Sequence, residues 1–388
     1  MDFSLNPEQA ALRELAASVG GRIYAPSTLA WDRERTVLPD AERTRLAELG
    51  FLGIALPTSV GGSGGTLLDA LLVIEELAKH NQVAAFQVFE ANTGPARVIQ
   101  LFGTPEQQER FLRPVVDGAA TMAVAISEAD AGSAATDMRT TARLDGDHYV
   151  VNGTKRWCSG AGHAERYLVY VRLSGAPGAG GVGAIVVDRD TPGLSFGPQE
   201  ELLGFHGIPS ADMAFDDVRV PAENLVLPAG GFKRLFSAFS IERLGNATMS
   251  LAIGQACVDR VAHYVEERTQ FGRPIVEFQM VQQQLADMIV QVEAARLLIW
   301  RAAAGAGTGV PDPLEASIAK CFANEMAKKV SDIAIQLHGG YGYHPEYHVE
   351  RHHRDAIGWA LAGGTPAMQR IRIVSQYLKR PFSQRAAR

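Results

Sequence analysis

The sequence predicts an α+β protein with a helical N-terminal domain, a small central β domain and a C-terminal helix bundle. Three observations carry this. Capped, helix-periodic stretches fill residues 1–120, and short strand-like runs between Gly/Pro turns fill 121–226. Long helical segments then occupy 227–388.

The first third opens with "NPEQAALRELAASV", where Asn6 stands at the N-cap position, Pro7 at the first helical position, and Leu12, Leu15, Ala16 and Val19 form one apolar face. "TPEQQERFLRPVV" repeats the signal, with Thr104 and Gln107 at capping-box spacing. "PTSVGGSGG" (57–65) reads as a loop between helices and not as a domain boundary. In the middle, "DGDHYVVNGTKRWCSG" carries two turn dipeptides, Asp145-Gly146 and Asn152-Gly153; "RYLVYVRL", "GAIVVD" and "DMAFDDVRV" follow as strands. Four long helices are expected in the bundle, at 232–268, 276–305, 313–337 and 366–380. "ERTQFGRPIVEFQ" reads as an αα-hairpin turn punctuated by Gly272 and Pro274. "QLHGGYGY" reads as a helix end with Gly339 in the left-handed conformation.

Composition narrows the function. With 46% hydrophobic and 21% charged residues over 388 positions, the chain is an ordinary globular protein with a large core. A net charge of −6 without a basic block argues against nucleic acid. Three scattered cysteines (Cys158, Cys257, Cys321) form no CxxC pair, which disfavours disulfides and zinc and fits a reducing cytoplasm. The start lacks a secretory signal pattern, and no apolar run approaches a membrane span. His344, His348, His352 and His353 cluster in sequence, but Arg351 and Arg354 crowd them and no HExxH order is present, so no metal is expected.

Some stretches suit a ligand and are equally open to plainer readings. "AISEADAGSAATDM" (125–138) offers small residues and hydroxyls for a ring edge or pyrophosphate, or is a polar surface loop. "NGTKRWCSGAGHA" (152–164) puts Trp157 beside Ser159 and Gly160, either as core or as a platform for a flat ligand. "RDAIGWALAGGTPAMQ" (354–369) reads as a helix end, a Gly-Gly-Thr-Pro loop and a helix start, with no charged side chain between Asp355 and Arg370.

Six ordered blocks together resemble the acyl-CoA dehydrogenase family over essentially the whole chain: "SEADAGSA", "NGTKRWCSG", "FDDVRVPAENL", "RTQFGRP", "QLHGGYGY" with "RDA", and "GGTP". The resemblance implies a C-terminal four-helix domain and an extended FAD between it and the β domain. Ile126 and Ser127 match positions at the flavin pyrimidine edge, Ser133 a position near the pyrophosphate, and Trp157 and Ser159 positions at the flavin ring. Arg268, Phe271, Gln336 and Gly340 match residues that complete a neighbouring subunit's FAD site, which implies a homotetramer.

The implied reaction removes a proton α to a thioester carbonyl while hydride leaves the β carbon for flavin N5, with electrons passing to an electron-transfer flavoprotein. Many members carry the base, a Glu, in the loop that here has Gly363. The isovaleryl-CoA dehydrogenase type places it on the first helix of the C-terminal domain, where Glu242 matches, leaving the Gly363 N–H as an oxyanion donor. Without the resemblance, Glu242 would read as a surface carboxylate paired with Arg243. Phe86, Gln87 and Glu90 are expected at the closed end of the acyl pocket, Trp359 and Leu361 nearer the reacting carbons, and Arg243 on the substrate side. The pocket then suits a short, branched, cyclic or aromatic acyl-CoA. Ala134, His206 and Ile208 depart from the family pattern and leave open a redox-neutral or carrier-protein-specific relative, or a non-catalytic flavin scaffold.

Overall fold

The computed structural model describes residues 4–382. Seven helices lead: α1 (Pro7–Val19), α2 (Thr28–Glu34), α3 (Asp40–Glu48), α4 (Leu67–His80), α5 (Gln82–Thr93), α6 (Pro95–Phe102) and α7 (Pro105–Val116). The expected caps are in place. Asn6 and Gln9 form a reciprocal capping box at α1, as do Thr104 and Gln107 at α7. One π turn, Gly20–Tyr24, follows α1 and packs on His80; a Cβ at Gly20 would stand 2.7 Å from that ring.

The β region holds β1 (Met122–Ala125), β2 (Thr141–Asp145), β3 (His148–Ser159), β4 (Arg166–Arg172), β5 (Val182–Asp188), β6 (Leu194–Phe196), β7 (Ser210–Pro221) and β8 (Leu225–Leu227). They form one sheet in the order β6-β7-β3-β2-β4-β5-β8, with β1 paired parallel to β4. Asp145-Gly146 does turn the chain between β2 and β3. Asn152-Gly153 does not turn. It lies inside β3, where the register against β7 shifts between Val151 and Gly153, and Gly153 abuts Thr140 too closely for a Cβ. One sheet face closes a core around Val151, Tyr167, Ile185 and Met213; the other joins the main helical core.

The C-terminal region opens with α8 (Phe232–Glu267), a 36-residue helix about 54 Å long by helical rise. Its middle, from Ser240 to Val258, is buried on nearly every side, polar residues such as Asn246 and Ser250 included. At Gly245 it approaches α5 so closely that a Cβ would lie 2.4 Å from Thr93 and 2.8 Å from Phe89. The expected αα-hairpin after it is stiffened by a two-stranded ribbon, β9 (Thr269–Gln270) with β10 (Arg273–Pro274). Then come α9 (Gln279–Ala306), α10 (Pro313–His338), α11 (Val349–Leu361) and α12 (Pro366–Tyr377). Helix α11 was not among the four long segments expected, because its His/Arg-rich first half hides an apolar face of Val349, Ala356 and Trp359. Gly339 caps α10 with positive φ, but its ψ of −137° lies outside the left-handed helical region. Asp355 pins α11 to the β region by accepting from the Phe205 N–H at 2.7 Å.

Candidate active site

Helix α8 carries Glu242 to the place where the loop after α11 turns back. A Cβ on Gly363 would fall 2.6 and 2.8 Å from the two Glu242 carboxylate oxygens, so the two positions share one small volume. Glu242 is half-buried as a residue, while its Oε2 is shut from solvent and has no hydrogen-bond partner. No ion pair joins it to Arg243. That guanidinium is 1% exposed and lies over the rings of Phe236 and Phe239, at 5.1 and 5.9 Å, enclosed instead of open to a ligand. Burial raises the Glu242 pKa, against the opposing pull of Lys320 and Arg243. A raised pKa and an unspent lone pair are what a base for a weak carbon acid requires.

The loop itself is held from behind. Lys320 on α10 is fully buried and donates to Asn324 Oδ1 at 2.9 Å, the Ala362 carbonyl at 2.8 Å and the Gly364 carbonyl at 3.1 Å. Asn324 also donates to Asn246 and Ser250 of α8, and Gln369 donates to the Gly364 carbonyl at 2.9 Å. Gly363 and Gly364 both have positive φ, +63° and +91°, which glycine adopts without steric cost. Sequence reasoning missed Lys320, Asn246 and Asn324. The signal was a lysine and an asparagine one turn apart in a stretch otherwise rich in alanine.

Phe86, Gln87 and Glu90 come together, lining a cavity of about 360 Å³ with Met122, Ala123 and Ser159. Asp40, Arg43 and Glu165 add charged groups to its lining, and neither Glu242 nor Gly363 lines it. Glu90 Oε2 is buried without a partner, and burial together with the Glu242 charge pushes the Glu90 pKa well up. Trp359 is 2% exposed, donates to Gln82 Oε1 at 2.9 Å and packs against Phe86, Phe89 and Phe205. Leu361, expected near the reacting carbons, is instead exposed on the outer side of α11. Ile208 is buried, and His206 lies between Asp32 and Arg354, where it ties the β region to α2.

The expected flavin positions form a second group. The Ile126 carbonyl accepts from Lys155 Nζ at 3.0 Å, and Lys155 also pairs with Glu128 at 2.8 Å, fixing the 126–128 segment; burial pushes that ammonium down to about 8. Ser127 and Ser159 are half-buried and Ser133 is exposed. Trp157 is 52% exposed with φ +59°. A large L-residue held in the left-handed region, with its ring out of the core, is strained backbone that marks a site. These residues fit a flat ring system with a polar edge, as a flavin has.

A third group lies on another face. Arg268, Gln270, Gln336, Gly340, Tyr341 and Tyr347 line an open cavity of about 770 Å³. Phe271 beyond it is 94% exposed with φ +51°, and the Arg268 guanidinium stands 5.5 Å over the Tyr341 ring. The fold separates this group from Glu242 by most of the length of α8. Among the described residues, no cluster of three or more His, Cys, Asp or Glu could hold a metal, and no helix is long and apolar enough to cross a membrane.

Comparison with known proteins accounts for this layout. The acyl-CoA dehydrogenase N-terminal, middle and C-terminal domains match residues 6–119, 123–218 and 229–378. The chain is 39% identical to a 3-sulfinopropanoyl-CoA desulfinase of Variovorax paradoxus, over 95% of this chain and 93% of that protein. It is 36% identical to an acryloyl-CoA reductase (NADH) of Anaerotignum propionicum, over 98% of this chain and 97% of that protein. The butyryl-CoA dehydrogenase structure from Megasphaera elsdenii superposes with a TM-score of 0.94 at 34% identity, covering 97% of this chain and 100% of that one. The three domains stand in order from residue 6 to 378, and the chain is an enzyme of the acyl-CoA dehydrogenase family with its FAD-binding fold.

Proposed function

We propose that this protein performs FAD-dependent chemistry at the α and β carbons of a short, branched, cyclic or aromatic acyl-CoA, with Glu242 as the group that moves the α-proton. The observation that carries this is the partnerless Glu242 carboxylate lying against the loop glycine where a base in that loop would otherwise project. When bound, FAD supplies the acceptor or donor of the β-hydride. Ile126, Ser127, Ser133, Trp157 and Ser159 hold it from the β domain, and Arg268, Phe271, Gln336 and Gly340 hold it from a neighbouring subunit of a homotetramer. Glu242 takes the α-proton, or returns it in the opposite direction. The Gly363 N–H donates to the thioester oxygen as charge builds there. Phe86, Gln87, Glu90 and Trp359 bound the acyl end, and the Arg243 charge acts on Glu242 from the next position of α8.

Two relatives, a desulfinase and a reductase, favour a redox-neutral or reductive use of this site over dehydrogenation feeding an electron-transfer flavoprotein. Glu242 serves each case. In reduction its raised pKa keeps a proton ready for the α carbon. In a redox-neutral desulfination the C–S bond breaks with its electron pair left on the β carbon, water supplies a proton to that carbon and an oxygen to sulfur, and saturated thioester and sulfite leave with no net electron transfer; Glu242 relays the proton.

The test is anaerobic mixing of the yellow protein with saturated, 2-enoyl and β-sulfino acyl-CoAs, together with carrier-protein thioesters. Bleaching by a saturated thioester supports dehydrogenation. Reoxidation of pre-reduced flavin by an enoyl-CoA supports reduction, and loss of sulfite from a β-sulfino thioester with the flavin unchanged supports the redox-neutral case. A protein that is inert to all of them has a different function.

A further inference from the structure

We propose that Lys320 is a positioning residue, holding the Ala362–Gly364 carbonyls so that the Gly363 N–H is aimed at the thioester oxygen. This rests on the proposed function. The peptide unit between Ala362 and Gly363 sets the direction. No peptide bond in the described chain is cis, so the Ala362 carbonyl and the Gly363 N–H point in opposite directions across one rigid plane. Lys320 takes the carbonyl at 2.8 Å, which turns the N–H away from α10. That N–H donates to no backbone or side-chain acceptor among the described residues, so it is free for a ligand.

The neighbouring constraints point the same way. Positive φ at Gly363 and Gly364 takes the chain out of helical geometry just after Ala362, whose N–H makes the last bond of α11, to the Gly358 carbonyl. Lys320 adds a second bond to the Gly364 carbonyl at 3.1 Å and a third to Asn324 at 2.9 Å. An ammonium has three protons for these three acceptors, whereas a neutral amine has two. The charge matters as well as the shape. Glu242 and Arg243 face Lys320 from α8, Cys321 is its neighbour on α10, and the 362–365 loop carries no charged side chain; Arg372 of α12 acts on Arg243. Burial pushes Lys320 down to about 8, with Glu242 opposing and Arg243 assisting. As pH rises through that value the third donor is lost and the hold on the loop weakens, with Gln369 still bonded to the Gly364 carbonyl and Asn246 to that of Ala362.

The test uses the FAD-loaded protein and an acyl-CoA it binds. Difference infrared spectroscopy reads the thioester carbonyl stretch, and mass spectrometry reads deuterium entry at the α carbon. The expected wild-type result is a downshifted carbonyl that relaxes as pH rises past about 8. In Lys320→Met the stem remains while the bonds go. Affinity should stay within about threefold, while the carbonyl downshift largely disappears and exchange slows about tenfold to a hundredfold, near the scale of one lost oxyanion donor. A Lys320→Met protein with the wild-type carbonyl shift overturns the inference. If that variant does not fold, Lys320→Gln decides, because its head is polar but too short to bond both carbonyls, and a full wild-type shift there overturns the inference equally. A wild-type protein with neither shift nor exchange sinks the proposed function itself.

Discussion

Replacing Gly363 by Ala adds one methyl group at the point where loop and base meet. The new Cβ would stand 2.6 Å from Glu242 Oε1, against an ordinary contact of about 3.4 Å, so the carboxylate or the loop must move by about 0.8 Å. The backbone cannot relieve this by rotating freely, since φ at +63° already costs an alanine about 1–2 kcal/mol. Displacement of a reacting group by about 1 Å is worth roughly a hundredfold in rate. Gly363→Ala should therefore slow turnover of the true substrate about thirtyfold to a hundredfold, with FAD content and acyl-CoA affinity little changed. Rapid-mixing measurements at saturating substrate read this directly. A variant within threefold of the parent would show that Glu242 and Gly363 do not share the reacting volume. The same geometry says that Glu242→Gln with Gly363→Glu has no room for both side chains, whereas Glu242→Gly with Gly363→Glu does, so only the second pair should regain activity.

Glu242→Gln keeps the shape and removes the basicity, so turnover should fall by at least about a hundredfold while acyl-CoA still perturbs the flavin spectrum. Burial raises the Glu242 pKa, so its favourable contribution to folding is full at low pH and is lost as pH rises through the raised value. The cofactor-stripped Glu242→Gln protein should accordingly melt higher than wild type at pH 8 and no higher at pH 4; the opposite order would show an ionised Glu242 stabilised by its surroundings. Arg268→Ala should weaken FAD retention and loosen the oligomer together, read by flavin content and sedimentation. A monomer that keeps its FAD would contradict it.

Local chemistry was legible in the sequence where one residue and its near neighbours decide the outcome. Asn6 with Gln9, Thr104 with Gln107, and the Asp145-Gly146 hairpin follow from caps and turns acting over three or four positions. Asn152-Gly153 has the same local signal, but pairing with β7 absorbs it as a bulge, a contact sixty residues away. Helix α11 was hidden for a related reason: its polar half packs against α8 and α10 and is tied to α2 through Arg354 with Asp32. Glu242 was found through resemblance and not through periodicity, since a Glu–Arg pair on a helix looks like any solvated face. Its enclosure, and Lys320 behind the loop, depend on how α8, α10 and α11 meet.

Helix α8 presents Glu242 near its start and leads into Arg268 at its C-cap, about 39 Å away by helical rise. In the proposed assembly those two residues serve different active sites, one in their own subunit and one in a neighbour. Two defects on separate chains can then compensate. A hybrid pair made from a Glu242→Gln chain and an Arg268→Ala chain concentrates both lesions in one site and leaves the other wholly intact. Two impaired parents would thus yield a hybrid with half of its sites intact. Genetically, the two ends of one continuous helix would behave as separate complementation groups.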